Sequence, residues 1–170
     1  GLGDVYKRQI LFRVKVMLML EFIDSMNQKV VLTFDKTKYE HSGHVLILPR
    51  YRSKWVLMHH KVRGVEFPGG KIERDELSVN AAARELYEET GAVASVHSFK
   101  HIAQYKVIRK PEIIKDVYVV EVDDIESSDL ADDSIGYLLV DHIDDVLITD
   151  RSPLLEDHCI RYIVRRLDEV

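Results

Sequence analysis

From Lys29 onward, short apolar runs alternate with polar breaks, and each run has the length of a strand. Lys29-Val30-Val31-Leu32-Thr33-Phe34 is rich in β-branched and aromatic residues and predicts a strand. Two further runs, His44 to Leu48 and Trp55 to Met58, flank the polar Arg50-Tyr51-Arg52-Ser53-Lys54 and predict a hairpin. Val65-Glu66-Phe67-Pro68-Gly69-Gly70 predicts a turn or loop, because Pro-Gly-Gly interrupts either regular element. At Ser78 the period changes. Val79, Ala82, Ala83, Leu86 and Thr90 recur at spacings of three and four, a helical stripe with Ser78 as N-cap and Gly91 as its stop. His97 to Val107 and Ile113 to Val122 predict two more strands joined through Lys110-Pro111-Glu112. A closing helix carries Leu155, Cys159, Ile160, Ile163, Val164 and Leu167 on one face, with Ser152 as its cap and Pro153 in its first turn. Between them, Asp123 to Asp133 is an acidic loop read as a solvated excursion. It lacks the alternating carboxylates around a central glycine that a calcium loop uses. Paired strands with helices between and after them predict an α+β layered domain.

The amino-terminal end has a different pattern. The apolar run from Ile10 to Leu20 is broken by Arg13 and Lys15 and falls short of the roughly 20 residues of a membrane span. Glu21-Phe22-Ile23-Asp24 comes next, where a signal peptide would have a small-residue cleavage site. Gly1 to Gln9 show no period shared with the neighbouring segment, and Met17 and Met19 stand directly before a credible domain start. Residues 1–18 are therefore expected to be a non-native or disordered extension, and 19–170 a single domain.

Composition narrows the class further. At 170 residues the chain can bury a core without a disulfide or metal staple, and 46% apolar with 31% charged residues excludes collagen, coiled-coil rods and wholesale disorder. A formal charge of −5 with a pI near 5.9 argues against a broad basic surface for nucleic acid and leaves room for one local basic pocket. The one cysteine, Cys159, cannot form an intramolecular disulfide, which fits a reducing cytoplasm; its place on the apolar face predicts a buried structural thiol. No membrane and no stable protein partner is implied.

The candidate chemistry lies on the first helix. Glu85, Glu88 and Glu89 project toward one sector, where like charges repel by a few tenths of a kcal/mol. They also occupy the last turns, where the helix dipole disfavours anions. A divalent cation removes both penalties: Mg2+ takes hard oxygen ligands and is held by one or two carboxylates together with substrate phosphates. A solvated acidic face is the alternative.

The residues around the helix favour the cation. Gly70, five residues, Glu76, seven residues, Arg84-Glu85-Leu86, one residue, Glu88-Glu89, one residue, Gly91 and then apolar Ala92 match the Nudix box. At average residue usage such a coincidence falls below about one in a million chains of this size. The chain therefore resembles the Nudix hydrolases. Glu66-Phe67-Pro68-Gly69-Gly70-Lys71-Ile72-Glu73 is similar to the run in MutT-type enzymes. Arg63-Gly64, Gln104-Tyr105-Lys106-Val107 and Glu21-Phe22 with Val31-Leu32-Thr33-Phe34 look closest to the bacterial YtkD-like subgroup, associated with oxidised dGTP and RNA 5′ ends.

This resemblance implies a Nudix α/β/α sandwich with a mixed sheet. It implies Mg2+, or Mn2+, held by Glu85, Glu88, Glu89 and the Gly69 carbonyl. Glu85 or Glu88 would be the general base for a water attacking a polyphosphate, with Arg84 either neutralising phosphate or bonded to Glu76. His60, Arg63, Glu66, Phe67 and Lys71 are the expected substrate contacts, and Trp55 and Tyr105 are further rings that could stack on a base or pack in the core. A later acid joins the site in some members of the family, with Glu112, Asp116 and Glu121 as candidates. The expected reaction is pyrophosphohydrolysis of nucleoside triphosphates, oxidised purines such as 8-oxo-dGTP among them, or of 5′-triphosphate RNA. Two other readings stand beside it: a non-catalytic nucleotide sensor, and a Nudix enzyme for another diphosphate such as ADP-ribose.

Overall fold

The computed structural model describes residues 1–17 and 19–169; the side chains of 10–18, most of the amino-terminal apolar run, lie outside the described residues. In chain order come helix α1 (Leu2–Met17), strands β1 (Met19–Ile23), β2 (Lys29–Thr33), β3 (His44–Tyr51) and β4 (Lys54–His60), then the three-residue strands β5 (Gly64–Glu66) and β6 (Gly69–Lys71). Helix α2 (Ser78–Thr90), β7 (Ala92–Val93), β8 (Lys100–Ile108), β9 (Ile113–Glu121), β10 (Asp124–Ile125), β11 (Ser134–Val140) and helix α3 (His158–Asp168) complete the chain. Strands β1-β2-β8-β9-β3-β4-β11 lie side by side in one sheet, with β5 added to β4 and β6 to β3; β10 and β7 pair separately. The β3–β9 pairing is parallel and the other pairings between these strands are antiparallel, so the sheet is mixed.

The expected hairpin forms, turned by Arg52 and Ser53 at φ 49° and 69°. Two consecutive positive φ values match the right-handed twist of the flanking strands. Its strands pair only at Arg50–Trp55 and Tyr51–Lys54 and then part. Into the gap go β6, with Gly69 opposite Leu46, and β5, with Glu66 opposite Met58. The segment expected as an irregular loop is thus two short strands around a Phe67-Pro68 corner. The parted hairpin offers free strand edges that override the local preference of Pro-Gly-Gly.

Alternation along the strands divides the core. Leu46, Leu48, Trp55, Leu57, Tyr105 and Val117 pack with Cys159, Ile160, Ile163 and Val164 of α3. Val45, Ile47, Val56, Tyr118 and Val120 pack with Ala81, Ala82 and Leu86 of α2. Successive side chains on a strand face opposite ways, so one helix covers each face and the domain is an α/β/α sandwich. Among the described residues no helix is long and apolar enough to cross a membrane.

Both expected helix starts need correction. The N-cap of α2 is Leu77, with no side-chain cap, because the Ser78 hydroxyl instead donates to Asp116 Oδ2 at 2.5 Å. Helix α3 begins at His158, not after Ser152. Asp157 caps it by accepting from the N–H groups of Cys159 and Ile160 at 2.9 and 3.1 Å, a motif worth about 1 kcal/mol. Cys159 is free and fully buried, and burial pushes its thiol pKa up, so it is inert packing.

Candidate active site

Helix α2 is fixed at both ends. Asp116, on β9, holds its first turn through Ser78. At its C-terminus Gly91 takes φ 78° and donates to the Tyr87 carbonyl at 2.8 Å. A β-carbon at Gly91 would collide with the Glu126 carbonyl, so the position needs glycine for space as well as for conformation. The acidic loop crosses this helix end: Ala131 N–H donates to the Glu88 carbonyl at 2.8 Å and the Ser134 hydroxyl to the Glu89 carbonyl at 2.7 Å. The loop therefore satisfies carbonyls that a helix terminus leaves unpaired. With Ala81, Ala82 and Leu86 in the core, Glu85 and Glu89 come to lie against β6.

Two glycines shape the receiving wall. A β-carbon at Gly70 would collide with the Glu85 carboxylate. Gly69 donates its N–H to Glu89 Oε1 at 3.1 Å. Ile47 donates to the Pro68 carbonyl and Ile72 to the Gly43 carbonyl, each at 2.9 Å, so bonded pairs alternate with unbonded ones along β3 and β6. Gly69, opposite Leu46, is at an unbonded position, so its N–H and C=O both turn away from β3, and the N–H meets Glu89.

Arg84 organises the remaining carboxylates. Its Nε and Nη2 donate to the two oxygens of Glu76 at 2.8 and 2.9 Å, and Nη2 also donates to the Lys71 carbonyl at 2.9 Å. Its Nη1 lies between Glu85, at 3.0 Å, and Glu88, at 3.2 Å. This fork holds Glu76 down to a pKa of about 2. Glu89, only 7% exposed, goes the other way: burial is the chief cause, Glu85, Asp133 and Glu66 add to it, and the Gly69 N–H opposes it, leaving the carboxyl pushed up to about 9. Burial also raises Glu85, against the pull of Arg84. As the side chains stand, no three His, Cys, Asp or Glu among the described residues are gathered closely enough to hold an ion. The oxygen set nevertheless suits a hard dication: one buried and one half-buried acid that burial disfavours as anions, a third that is half exposed, and a backbone carbonyl left unpaired with β3.

The expected substrate contacts separate into three groups. Arg63 and Lys71 keep exposed heads; the Arg63 side chain is half exposed and the Lys71 residue is exposed. His60 and Glu66 are buried and act on other protein groups. His60 Nδ1 accepts from the N–H groups of Val62 and Arg63, and Glu66 accepts from Arg63 and from Ser152. Phe67 is 5% exposed and meets Trp55 edge-on at 5.6 Å, so it packs in the core. Tyr105 is likewise core, its hydroxyl donating to Asp157 at 2.9 Å.

None of the three late acids reaches the carboxylates of the box. Glu112 pairs with Lys106 at 3.2 Å, and Glu121 lies opposite Arg50, at the far end of β3 from β6. Asp116 is consumed by four donors, Ser42, Ser78, Gln104 and His101. The late acid that does approach is Asp133, 3.5 Å from His60 Nε2 and close enough to raise Glu89. It belongs to the loop read as a solvated excursion. It is brought in by the pairing of Ser134 with His60, a contact that no local pattern announces.

Comparison with known proteins agrees with this geometry. The family model of the NUDIX domain matches residues 30–153. The chain is 35% identical over 155 residues to a Bacillus subtilis protein, YtkD, named as a candidate 8-oxo-dGTP diphosphatase, covering 89% of this chain and 97% of that one. The crystal structure of a point variant of the Bacillus subtilis pyrophosphohydrolase BsRppH superposes with a TM-score of 0.81 at 33% identity, again covering 89% of this chain and 97% of that one. MutT, from a study of the Aliivibrio salmonicida and Vibrio cholerae enzymes, matches at TM-score 0.56 and 21% identity over 73% of this chain and 97% of that one, a likeness of fold alone.

Proposed function

The chain belongs to the Nudix family of hydrolases, and from that premise we propose that it is a Mg2+-dependent pyrophosphohydrolase of nucleoside triphosphates, including oxidised purines such as 8-oxo-dGTP, or of 5′-triphosphate RNA ends. The observation that carries the reading is the pair Glu85 and Glu89 laid against Gly69-Gly70. Glu89 in particular is a buried carboxyl with a single N–H donor, whose ionised form calls for a cation.

Glu85, Glu88, Glu89 and the Gly69 carbonyl would hold the ion, which when bound supplies charge neutralisation of the phosphates and a lowered pKa for the attacking water. The Glu85 or Glu88 carboxylate takes the proton from that water as it attacks phosphorus, and pyrophosphate or phosphate leaves. Glu88 faces solvent more than Glu85 does, which opens a route for the proton to bulk water. Arg84 is a positioning residue: its fork is committed to Glu76, and its Nη1 sets the spacing of Glu85 and Glu88. Arg63 and Lys71 supply exposed positive charge for the polyphosphate. With its one thiol free and buried, the chain suits a reducing cytoplasm.

The test is product identification after incubation with Mg2+ and a panel of (d)NTPs, 8-oxo-dGTP, ADP-ribose and 5′-triphosphate RNA. Release of pyrophosphate or phosphate from a triphosphate is the expected result. Hydrolysis of ADP-ribose alone overturns the substrate class, and no hydrolysis of any member overturns the reaction.

A further inference from the structure

We propose that Ser152, acting through Glu66, is a positioning residue for Arg63, and that this clamp turns the remaining Nη1 edge of Arg63 toward the phosphates of the substrate; the inference rests on the triphosphate reading above.

Arg63 is fixed at both of its ends. The Nδ1 atom of the buried His60 accepts from the N–H groups of Val62 and Arg63 at 3.1 and 3.0 Å, which sets the backbone of the turn between β4 and β5. At the other end the guanidinium meets Glu66 in a fork, Nε to Oε2 at 3.1 Å and Nη2 to Oε1 at 2.6 Å. Glu66 is 3% exposed, and its Oε2 also accepts the Ser152 hydroxyl at 2.6 Å. Both carboxylate oxygens are thereby used. The Ser152 hydroxyl has one proton, given to Glu66, while its oxygen accepts the Leu154 N–H at 3.2 Å, so its orientation is determined.

Ser152 is itself immobile. It is fully buried, its N–H donates to the Val65 carbonyl at 3.0 Å, and Arg151 bridges to Val65. Gly64, at φ 101°, lets the Asp150 carbonyl approach where a β-carbon would collide. The segment ahead of α3 is thus fastened to β5, and through one hydroxyl it determines where a half-exposed arginine points. With Nε and Nη2 spent, Nη1 keeps two N–H donors for which no protein acceptor occurs among the described residues. The charge of Arg63 lies within electrostatic reach of Asp133 and Glu89, on the side of the Nudix box. A guanidinium held by one edge and free along another is the form in which arginine grips a phosphate oxygen with little loss of freedom.

The test is a double-mutant cycle on the full chain with Mg2+ and a triphosphate that it hydrolyses. Ser152→Ala is expected to raise KM about three- to tenfold while kcat changes less than about twofold, and to add nothing further in an Arg63→Ala background. In the ligand-free chain, NMR of the arginine side-chain N–H groups should show the Arg63 Nε–H protected in the wild type and exchanging in Ser152→Ala, and pyrophosphate should shift the wild-type signal. Losses that add in the cycle, or an Arg63 signal indifferent to Ser152→Ala, overturn the inference. A wild-type chain that hydrolyses no triphosphate rejects the reading of the reaction instead, and the spectrum still decides on the clamp. Glu66→Gln, which keeps the shape of the side chain, runs the same cycle if Ser152→Ala unfolds at the assay temperature.

Discussion

Asp116 and Glu89 are equally buried, at 6% and 7% exposure, one beside each end of α2, and their environments push them in opposite directions. Asp116 accepts from Ser42, Ser78, Gln104 and His101, and these donors outweigh its burial and hold its carboxyl well below the usual carboxylate range. Glu89 accepts from the Gly69 N–H, sits at the unfavourable end of the helix dipole with Glu85, Asp133 and Glu66 nearby, and is pushed up to about 9. Both are buried; four donors hold the first acid down, while desolvation and neighbouring acids raise the second against its one backbone donor. The first acid is finished by the protein and serves the fold, whereas the second is the one that the proposed cation would complete.

The largest effect should come from Glu89→Gln, which keeps the shape and removes the anion. Turnover is expected to fall roughly a hundredfold or more, on the scale of losing one group that stabilises transition-state charge, while the melting temperature of the metal-free chain at pH 8 stays level or rises. A fall in stability matching the fall in rate would erase the contrast between the two acids. Next is Asp116→Ala, which strands buried donors and should cost about 3 kcal/mol in urea unfolding. Its folded fraction should keep far more activity than Glu89→Gln does.

The pH dependence separates the two acids without abolishing either. Asp116, depressed in the fold, contributes stability above its unfolded pKa, and that contribution is lost as pH falls through its folded value. Glu89, raised in the fold, contributes stability that is complete below its unfolded pKa and is lost as pH rises through about 9. Thermal melts of the metal-free chain should therefore fall by a few degrees on each limb, with Asp116→Asn flattening the acid limb and Glu89→Gln the alkaline one. Mg2+ should lift the alkaline limb of the wild type and leave that of Glu89→Gln unmoved. The smallest effect belongs to Glu76→Gln, on the side of the Arg84 fork away from Glu85 and Glu88. It should cost about 1 kcal/mol or less and raise the Mg2+ concentration for half-maximal activity by roughly tenfold or less, as Arg84 leans further onto Glu85 and Glu88.

The contrast also marks what could be read before the fold was known. The box acids declared themselves by spacing, because three and four residues apart on a helix is a local fact. The hairpin and the long strands β8 and β9 were equally legible from apolar runs and polar breaks. Burial is not local, so Glu89 could be placed beside Glu85 but not foreseen as the deeper of the two. Ser152-Pro153 has the composition of a helix start, yet its hydroxyl is taken by Glu66, 86 residues away, and the cap falls to Asp157. Phe67 stands in a motif suggestive of ligand contact and is drawn inward by Trp55. Asp133 was hidden in a run of acids whose only local feature is solubility.

The acidic loop across the end of α2 makes its contacts there with the peptide N–H groups of Glu126 and Ala131 and one serine hydroxyl, and it then enters β11 opposite His60. Such a span behaves like a strut of fixed length. Exchanges among its outward-facing acids would pass with little consequence, whereas inserting or deleting a single residue would slide β11 one place along β4 and turn its inward side chains to water.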